Sequence, residues 1–237
     1  MKKIPLLYED DDCLAIHKPA GLLSVPDRHD PAIINVKHLQ QNEDPNRLMV
    51  HRLDKDTSGI LLIAKTEKAQ VHLSSQFEQQ TIDKEYLAIV HGIPASSQGV
   101  IEAALVEHEH LKGRMIIHKK GKSALTNWFL EDSFKFHSLL RLKPTTGRTH
   151  QLRVHLAHIG HAILSDPKYG DGKALFLSSF KRKVNPNKYG QERPLISRTA
   201  LHARKITFDN LQGEKIEIIC ELPKDMRASL NQLSKNL

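Results

Sequence analysis

The residues with chemistry to offer crowd into one stretch, HRLDKDTSGILLIAK, residues 51–65. His51, Arg52 and Asp54 come within four positions. A second aspartate, Asp56, and the turn residues Thr57-Ser58-Gly59 follow, and then the chain becomes apolar. A carboxylate such as Asp54 can act as a covalent nucleophile as well as an acid or base. To stay ionised where water is excluded it needs a cation close by. Arg52, near in sequence, and Arg153, in a basic segment further on, are the candidates. On spacing alone, a surface ion pair or a turn cap explains Asp54 as well as catalysis does.

The bulk of the chain sets the context. Its 237 residues carry 39% hydrophobic and 26% charged residues, as an ordinary globular protein does. Thirty-five Lys+Arg against 27 Asp+Glu give a net charge of +8. That balance suits a polyanion such as nucleic acid, although many basic proteins are simply soluble. The longest apolar run, residues 60–64, is far too short for a membrane span, and the N-terminal MKKIPLLYED lacks the length of a signal peptide. Cys13 and Cys220 match no metal or redox spacing, which points to free thiols in the cytoplasm.

Other chemistries find less support. His108 and His110 flank Glu109, and His155, His158 and His161 recur at a three-residue step that shares a helix face. No acid near the second cluster completes a metal site, and neither HExxH nor paired CxxC occurs. Helix-face and RNA-facing histidines are expected, with no metal. The phosphate-binding patterns GxxxxGK[ST] and GxGxxG are absent, so no ATP- or NAD-driven reaction is expected. Pro144-Thr145-Thr146-Gly147-Arg148 precedes a helix starting near Thr149. It can hold an RNA phosphate at that N-terminus or serve as a capped turn. Ser58 lacks a GxSxG setting and Cys13 lacks a marked partner, so neither is expected as a nucleophile.

The elements that must position these residues follow from periodicity. LLYEDDDCLAIHKPAG reads as two short strands around an acidic turn. Residues 32–43 carry Ile33, Val36, Leu39 and Gln40 at helical spacing. After ILLIA, Thr66 is a candidate N-cap for a helix with Ala69, Leu73 and Phe77 on one face. IDKEYLAIVHG reads as a buried strand. VIEAALV, RMIIHKK, LTNWFLE and SLLRLKP repeat the strand signal. TGRTHQLRVHLAHIG is expected as a helix with Leu152, Leu156 and Ile159 on one stripe. ALHARKITF and EKIEIICELP are two late strands, and KDMRASLNQLSKNL is a C-terminal helix. Strands outnumber helices without strict alternation, which implies an α+β fold on a mixed, mostly antiparallel sheet with flanking helices. No linker is evident, so a single domain over 1–237 is expected. Between Lys173 and Arg198 seven Lys/Arg meet one acid, Glu192. This basic 173–198 stretch is either a solvated loop or a nucleic-acid contact.

With those blocks in view, HRLDKDTSGILLIAK closely resembles the signature of the RluA-type pseudouridine synthases. HKPAGLLSVP (17–26) is similar to the family's Lys-Pro-x-Gly segment. KEYLAIVHG (84–92) resembles its tyrosine strand. LKPTTGRTHQLRVHLAHIGHAILSDPKYG (142–170) resembles its arginine helix and following turn, and ALHARKITF (200–208) its Leu-His-Ala strand. The blocks keep the family's order from about residue 6 to about residue 222.

The resemblance implies an isomerase that exchanges the N-glycosidic link of an RNA uridine for a C-glycosidic one, on a pseudouridine synthase fold with a central active-site cleft. It implies no cofactor and no metal, as suits a redox-neutral reaction between isomers. Asp54 matches the catalytic aspartate, attacking base or ribose. Tyr86 matches the active-site tyrosine packed against the base, a candidate for removing the C5 proton although a phenol with a pKa near 10 is a poor base. Arg153 matches the arginine paired with the aspartate. Arg52 matches the side chain that fills the gap left by a flipped base, and Leu201 matches an apolar wall near that base. The chain begins shortly before its Lys-Pro-x-Gly block, so no separate N-terminal RNA-binding domain is expected. Leu22-Leu23-Ser24-Val25-Pro26 resembles the branch acting on tRNA anticodon stem–loops and large-subunit (23S) rRNA. A monomer is the default expectation.

Overall fold

The computed structural model describes residues 4–27, 30–181 and 192–236. The chain divides into two compact units, Met1–Tyr86 with His202–Glu221, and Leu87–Leu201 with Leu222–Leu237. The sheet is mixed and mostly antiparallel, with four α-helices among the described residues.

The first unit holds β1 (Leu6–Glu9), β2 (Cys13–Lys18), α1 (Val36–Glu43), β3 (Leu48–Met49), β4 (Ser58–Ala64) and α2 (Glu67–Glu78). It also holds the start of β5 (Asp83–His91), nearly all of β11 (Leu201–Asp209), and β12 (Lys215–Ile219). Its strands run in the order β1-β2-β4-β11, with β3 on β4 and β12 on β11. The acidic turn closes because Asp10 Oδ1 accepts the N–H groups of Asp12 and Cys13 at 2.8 and 2.6 Å. Strand β4 is buried at every position. It therefore reads as an apolar run rather than an alternation, since both of its faces are covered. Ile60, Leu62 and Ala64 face a core shared with Ala69 and Leu73 of α2, whereas Leu61 and Ile63 face one with Leu14, Ile16, Val36 and Leu53. Beside it β11 runs parallel, pairing His202 with Ser58 and Ala203 with Gly59.

Two helices of this unit are set by their caps. Thr66 accepts the Ala69 N–H at 3.1 Å, the cap expected for α2. Helix α1 begins at Val36, four residues later than the spacing of Ile33 suggests. Asn35 caps it by accepting the His38 N–H, and Ile33 and Ile34 are left exposed. The first two helical N–H groups go instead to the carbonyls of Leu23 and Ser24. That fastens the 22–26 segment to the helix start.

The second unit holds the rest of β5, then β6 (Gln98–Glu102), β7 (Leu105–Glu107), β8 (Met115–Ile117), β9 (Leu125–Ser133), β10 (His137–Pro144), α3 (Gln151–His158), a 3-10 turn at Leu177–Ser179 and α4 (Lys224–Ser234). Its strands run β5-β10-β9-β6, and β7 and β8 form a separate two-stranded sheet. Strand β10 alternates buried with half-exposed positions, as a sheet covered on one face does. Helix α3 departs from the single stripe expected for it: all residues from Gln151 to Leu156 are buried. Its polar members survive burial because each is hydrogen-bonded, and a pattern of residue types alone cannot reveal that. No helix among the described residues is long and apolar enough to cross a membrane.

Candidate active site

Asp54 lies on a turn held from both sides through its backbone. The buried Ser24 hydroxyl accepts the Leu53 N–H at 3.0 Å and donates to the Leu53 carbonyl at 2.8 Å. On the other flank, the Lys55 carbonyl accepts the Gly21 N–H at 2.9 Å and the Lys18 ammonium at 3.0 Å. Lys18 is fully buried, and its Nζ also donates to the carbonyls of Pro19 and Leu22. A buried ammonium is tolerated where carbonyl oxygens replace water around it. The Thr57 N–H closes the turn on the Asp54 carbonyl at 3.1 Å. HKPAGLLS is thus the scaffold of the Asp54 turn. Asp54 itself is partly exposed and Arg52 is exposed.

After the turn the chain enters β4 under tight constraint. Gly59 has φ +117°, and a Cβ there would lie 2.2 Å from the Ala203 carbonyl oxygen. Only glycine lets β4 approach β11 so closely. Ser58 is buried against His202, with Oγ 3.0 Å from Nδ1. His202 Nε2 lies 3.2 Å from the Cys220 carbonyl, an acceptor, so Nδ1 takes the serine proton. This is a structural serine at the first position of β4, and the turn expected at Thr57-Ser58-Gly59 lies earlier, at residues 55–56. The thiols of Cys13 and Cys220 are buried, and burial pushes them up to about 12 and about 11. Both stay protonated at neutral pH.

Tyr86, on β5, packs against the cluster that contains Leu53, Leu61 and Ala203. Burial, and then the charge of Asp54, raise its phenol well above the usual tyrosine range. His51 stacks on Phe77 with ring centroids 4.6 Å apart, and its Nε2 accepts the Leu62 N–H of β4 at 2.8 Å. Burial, then the charge of Lys84, push its pKa down from 6.5 to about 3. The unfolded chain therefore binds this proton more readily than the native one. Stability contributed by neutral His51 is complete above pH 6.5 and is lost as pH falls towards 3, at no more than about 1.4 kcal/mol per pH unit. Urea midpoints measured between pH 7.5 and 5 should fall more steeply for the native protein than for His51→Gln. Parallel curves would remove His51 from this role.

In the second unit Arg153 of α3 is held by a residue with no mark in the sequence. Asp166 accepts from Nε at 2.6 Å and from Nη2 at 2.8 Å, a bidentate pair with side-chain exposures of 8% and 0%. Asp166 also accepts the backbone N–H groups of Lys168 and Tyr169. Burial alone would raise its carboxyl, but Arg153 and the two N–H groups together hold it below the ordinary range. The Tyr169 ring lies 5.1 Å from the Arg153 guanidinium, and its hydroxyl is 2.8 Å from His150 Nδ1. His150 precedes α3 in the left-handed region, at φ 54°. The turn before it is stitched by buried Gln151, whose Oε1 accepts the Thr146 hydroxyl at 2.7 Å and the Arg148 N–H at 3.0 Å. These bonds tie the Pro144–Arg148 turn to α3, while His150 at the helix start makes no side-chain cap hydrogen bond. Leu201 is buried at the start of β11, and its carbonyl accepts from Arg198 at 3.1 Å.

Several expectations change here. His155 is fully buried, bonded to the Thr126 hydroxyl and the Ala103 carbonyl at 3.0 Å each, so it is not RNA-facing. His161 Nδ1 lies 3.0 Å from the His91 carbonyl. Among the described residues no group of three or more His, Cys, Asp or Glu is arranged to hold a metal ion. Arg198, counted in the basic 173–198 stretch, forms a bidentate pair with Asp225 of α4 at 2.8 and 3.0 Å. Residues 182–191 of that stretch lie outside the described residues.

A sequence profile of the RNA pseudouridylate synthase family matches residues 12–158, more than half of the chain. The chain belongs to the RluA-type pseudouridine synthases. It is an isomerase acting on RNA. An uncharacterized RNA pseudouridine synthase of Bacillus subtilis is 33% identical over 242 residues, covering 98% of this synthase and 74% of that protein. The ribosomal large subunit pseudouridine synthase D of Xanthomonas campestris is 35% identical over 244 residues, covering 98% and 71%. Synthase C of Buchnera aphidicola is 36% identical over 236 residues, covering 96% and 70%. Among solved structures, human RNA pseudouridylate synthase domain containing 4 aligns with a TM-score of 0.74 at 26% identity, covering 97% of this synthase and 93% of that chain. The profile takes in Arg52, Asp54, Tyr86 and Arg153, and the synthase continues beyond it through Asp166, Tyr169 and Leu201.

Proposed function

We propose that this synthase isomerises a uridine in structured RNA, a tRNA anticodon stem–loop, large-subunit (23S) rRNA or both, with Asp54 as the attacking group. The observation that carries this reading is the Asp54 turn, gripped by Ser24 on one flank and by Lys18 and Gly21 on the other. A nucleophile must be held in an attacking geometry, and a turn fixed through its backbone holds Asp54 in one place. The relatives named for the ribosomal large subunit support rRNA, and the LLSVP segment, which resembles the branch acting on both RNAs, supports tRNA together with rRNA.

In this reading the target base is flipped out of its stack, at a cost of a few kcal/mol, and exposed Arg52 fills the gap it leaves. Leu201 forms an apolar wall near the base. Arg153 supplies the catalytic cation, its plane set by Asp166. Attack by Asp54 on base or ribose opens the N-glycosidic bond. C5 then bonds to C1′ as the Asp54 carboxylate is released from its adduct, and the C5 proton passes to water as the ring is restored, so substrate and product are isomers and no cofactor is consumed. Tyr86 packs on the base and enters the reaction as a neutral phenol, because burial and Asp54 both oppose its ionisation. Tyr86→Phe should leave KM near the native value and lower kcat by about 100-fold or more, the scale of a hydrogen-bond donor lost from charge that develops on the base. An unchanged kcat would confine Tyr86 to packing. The synthase is read as a cytoplasmic monomer.

Incubating the protein with unmodified tRNA and large-subunit rRNA transcripts, and mapping pseudouridine at nucleotide resolution, tests the substrate. New modification at a discrete uridine in either RNA is the expected result. Neither RNA being modified would refute the substrate assignment.

A further inference from the structure

A guanidinium has an edge and a face, and a fixed position needs a hold on both. One edge of the buried Arg153 is taken by Asp166, which accepts from Nε at 2.6 Å and from Nη2 at 2.8 Å. A plane held by one edge still yields to a push on its face unless something backs that face. The ring of Tyr169 lies against the guanidinium, with Arg153 Cζ 5.1 Å from the ring centroid. A planar cation stacks on such a ring, and the contact strengthens where water is kept away.

Tyr169 can back that face because it is itself held at both ends. Its backbone N–H donates to Asp166 Oδ1 at 3.1 Å, so the carboxylate that takes the Arg153 edge also sets the base of the ring. The loop between them is tight: the Gly170 N–H returns to the Asp166 carbonyl at 3.0 Å, and a Cβ on Gly170 would meet the Ile163 and Asp166 carbonyl oxygens at 3.0 and 3.1 Å. At the far end the Tyr169 hydroxyl accepts the Met115 N–H of β8 at 2.8 Å and lies 2.8 Å from His150 Nδ1. With its oxygen accepting from Met115, the hydroxyl gives its hydrogen to Nδ1. Between the ends the ring packs with Leu105, Ile117, Ala124 and Val154, the residue after Arg153. His150 stands in the left-handed region, at φ 54°, immediately before α3. A residue other than glycine keeps that conformation where its neighbours enforce it, and the Tyr169 hydroxyl is such a neighbour.

We infer that Tyr169 is a positioning residue of the reaction: its ring sets the tilt of the Arg153 guanidinium, and its ties to Asp166, Met115 and His150 hold the ring in place. This rests on the reading of Arg153 as the catalytic cation of an RNA-uridine isomerase. Tyr169 acts through Arg153 and needs no contact with RNA. A cation displaced by about 1 Å stabilises the reacting charge poorly while RNA still binds, so the effect falls on kcat rather than on KM.

The test compares Tyr169→Met, which fills the site without a ring, with Tyr169→Phe, which keeps the ring and drops the hydroxyl. Both are made in the native protein and in an Arg153→Lys background, because lysine has no face for a ring to back. Turnover is measured on a transcribed RNA that the native protein modifies, and the Arg153 Nε–H resonance is followed by NMR on the RNA-free protein. Tyr169→Met should lower kcat by about 30-fold or more, hold KM within about threefold of native and move the Arg153 resonance. Tyr169→Phe should stay within about fivefold of native in kcat and keep the resonance near its native position. In the Arg153→Lys background Tyr169→Met should cost less than about threefold further, since the two residues act as a unit. The same factor in both backgrounds, a Tyr169→Met kcat near native, a Tyr169→Phe as slow as Tyr169→Met, or a Tyr169→Met protein that cannot fold would each overturn the assignment. The resonance is read without turnover. Absence of pseudouridine from the native protein's product therefore counts against the isomerase reading, whereas an unmoved resonance in Tyr169→Met counts against the role of Tyr169.

Discussion

Replacing Asp54 with asparagine is expected to lower pseudouridine formation by at least about a thousandfold, a barrier increase of about 4 kcal/mol or more. Asparagine has nearly the same shape and cannot serve as the anionic nucleophile. The bonds that shape the turn run through the backbone of Leu53, Asp54 and Lys55, and asparagine keeps them all. Stability should therefore change by less than about 1 kcal/mol, and RNA affinity should stay close to native. A variant that unfolds would instead show that the carboxylate is structural. Activity and stability measured on the same preparation separate the two.

The second large effect is expected at Asp166. Asp166→Ala removes the acceptor of four hydrogen bonds, two of them from the buried Arg153 guanidinium. Breaking such a pair from one side costs about 3–5 kcal/mol, whereas replacing both partners with apolar residues costs far less. Urea unfolding should show that large loss for Asp166→Ala and partial recovery in Arg153→Met/Asp166→Leu, with catalysis abolished in both. A loss below about 1 kcal/mol for Asp166→Ala would show that the pair is not a structural clamp. The sign with pH is fixed by the same pair. Asp166 titrates below its ordinary value, so its contribution is present above about pH 3.8 and fades as pH falls through the depressed native value.

What the sequence discloses, and what it hides, follows from distance along the chain. The Asp54 turn, the doubly buried β4 and the Thr66 cap are local and can be read directly from HRLDKDTSGILLIAKTEKA. The supports are not local. Ser24 grips Leu53 from 29 residues away and Lys18 grips Lys55 from 37, and neither residue type announces a partner at that range. Asp166 lies 13 residues past Arg153, beyond the end of α3, so helical spacing cannot pair them. Helix α1 starts late because a side-chain cap at Asn35 prevails over apolar periodicity. Helix α3 misleads in the opposite way: Gln151, Arg153 and His155 resemble a surface face until their buried partners are known. Positive charge stands out by count in residues 173–198, where Arg198 proves to be an anchor for α4.

The most direct measurement is tritium release from RNA labelled at uridine C5, run with native protein and Asp54→Asn side by side, in chelator and without added nucleotide. Forming a C-glycosidic bond at C5 must expel that hydrogen to water. Native protein should release tritium in step with pseudouridine appearance, and the Asp54→Asn protein, folded and RNA-bound, should release none above background. Release by Asp54→Asn at a rate near native would contradict Asp54 as the attacking group.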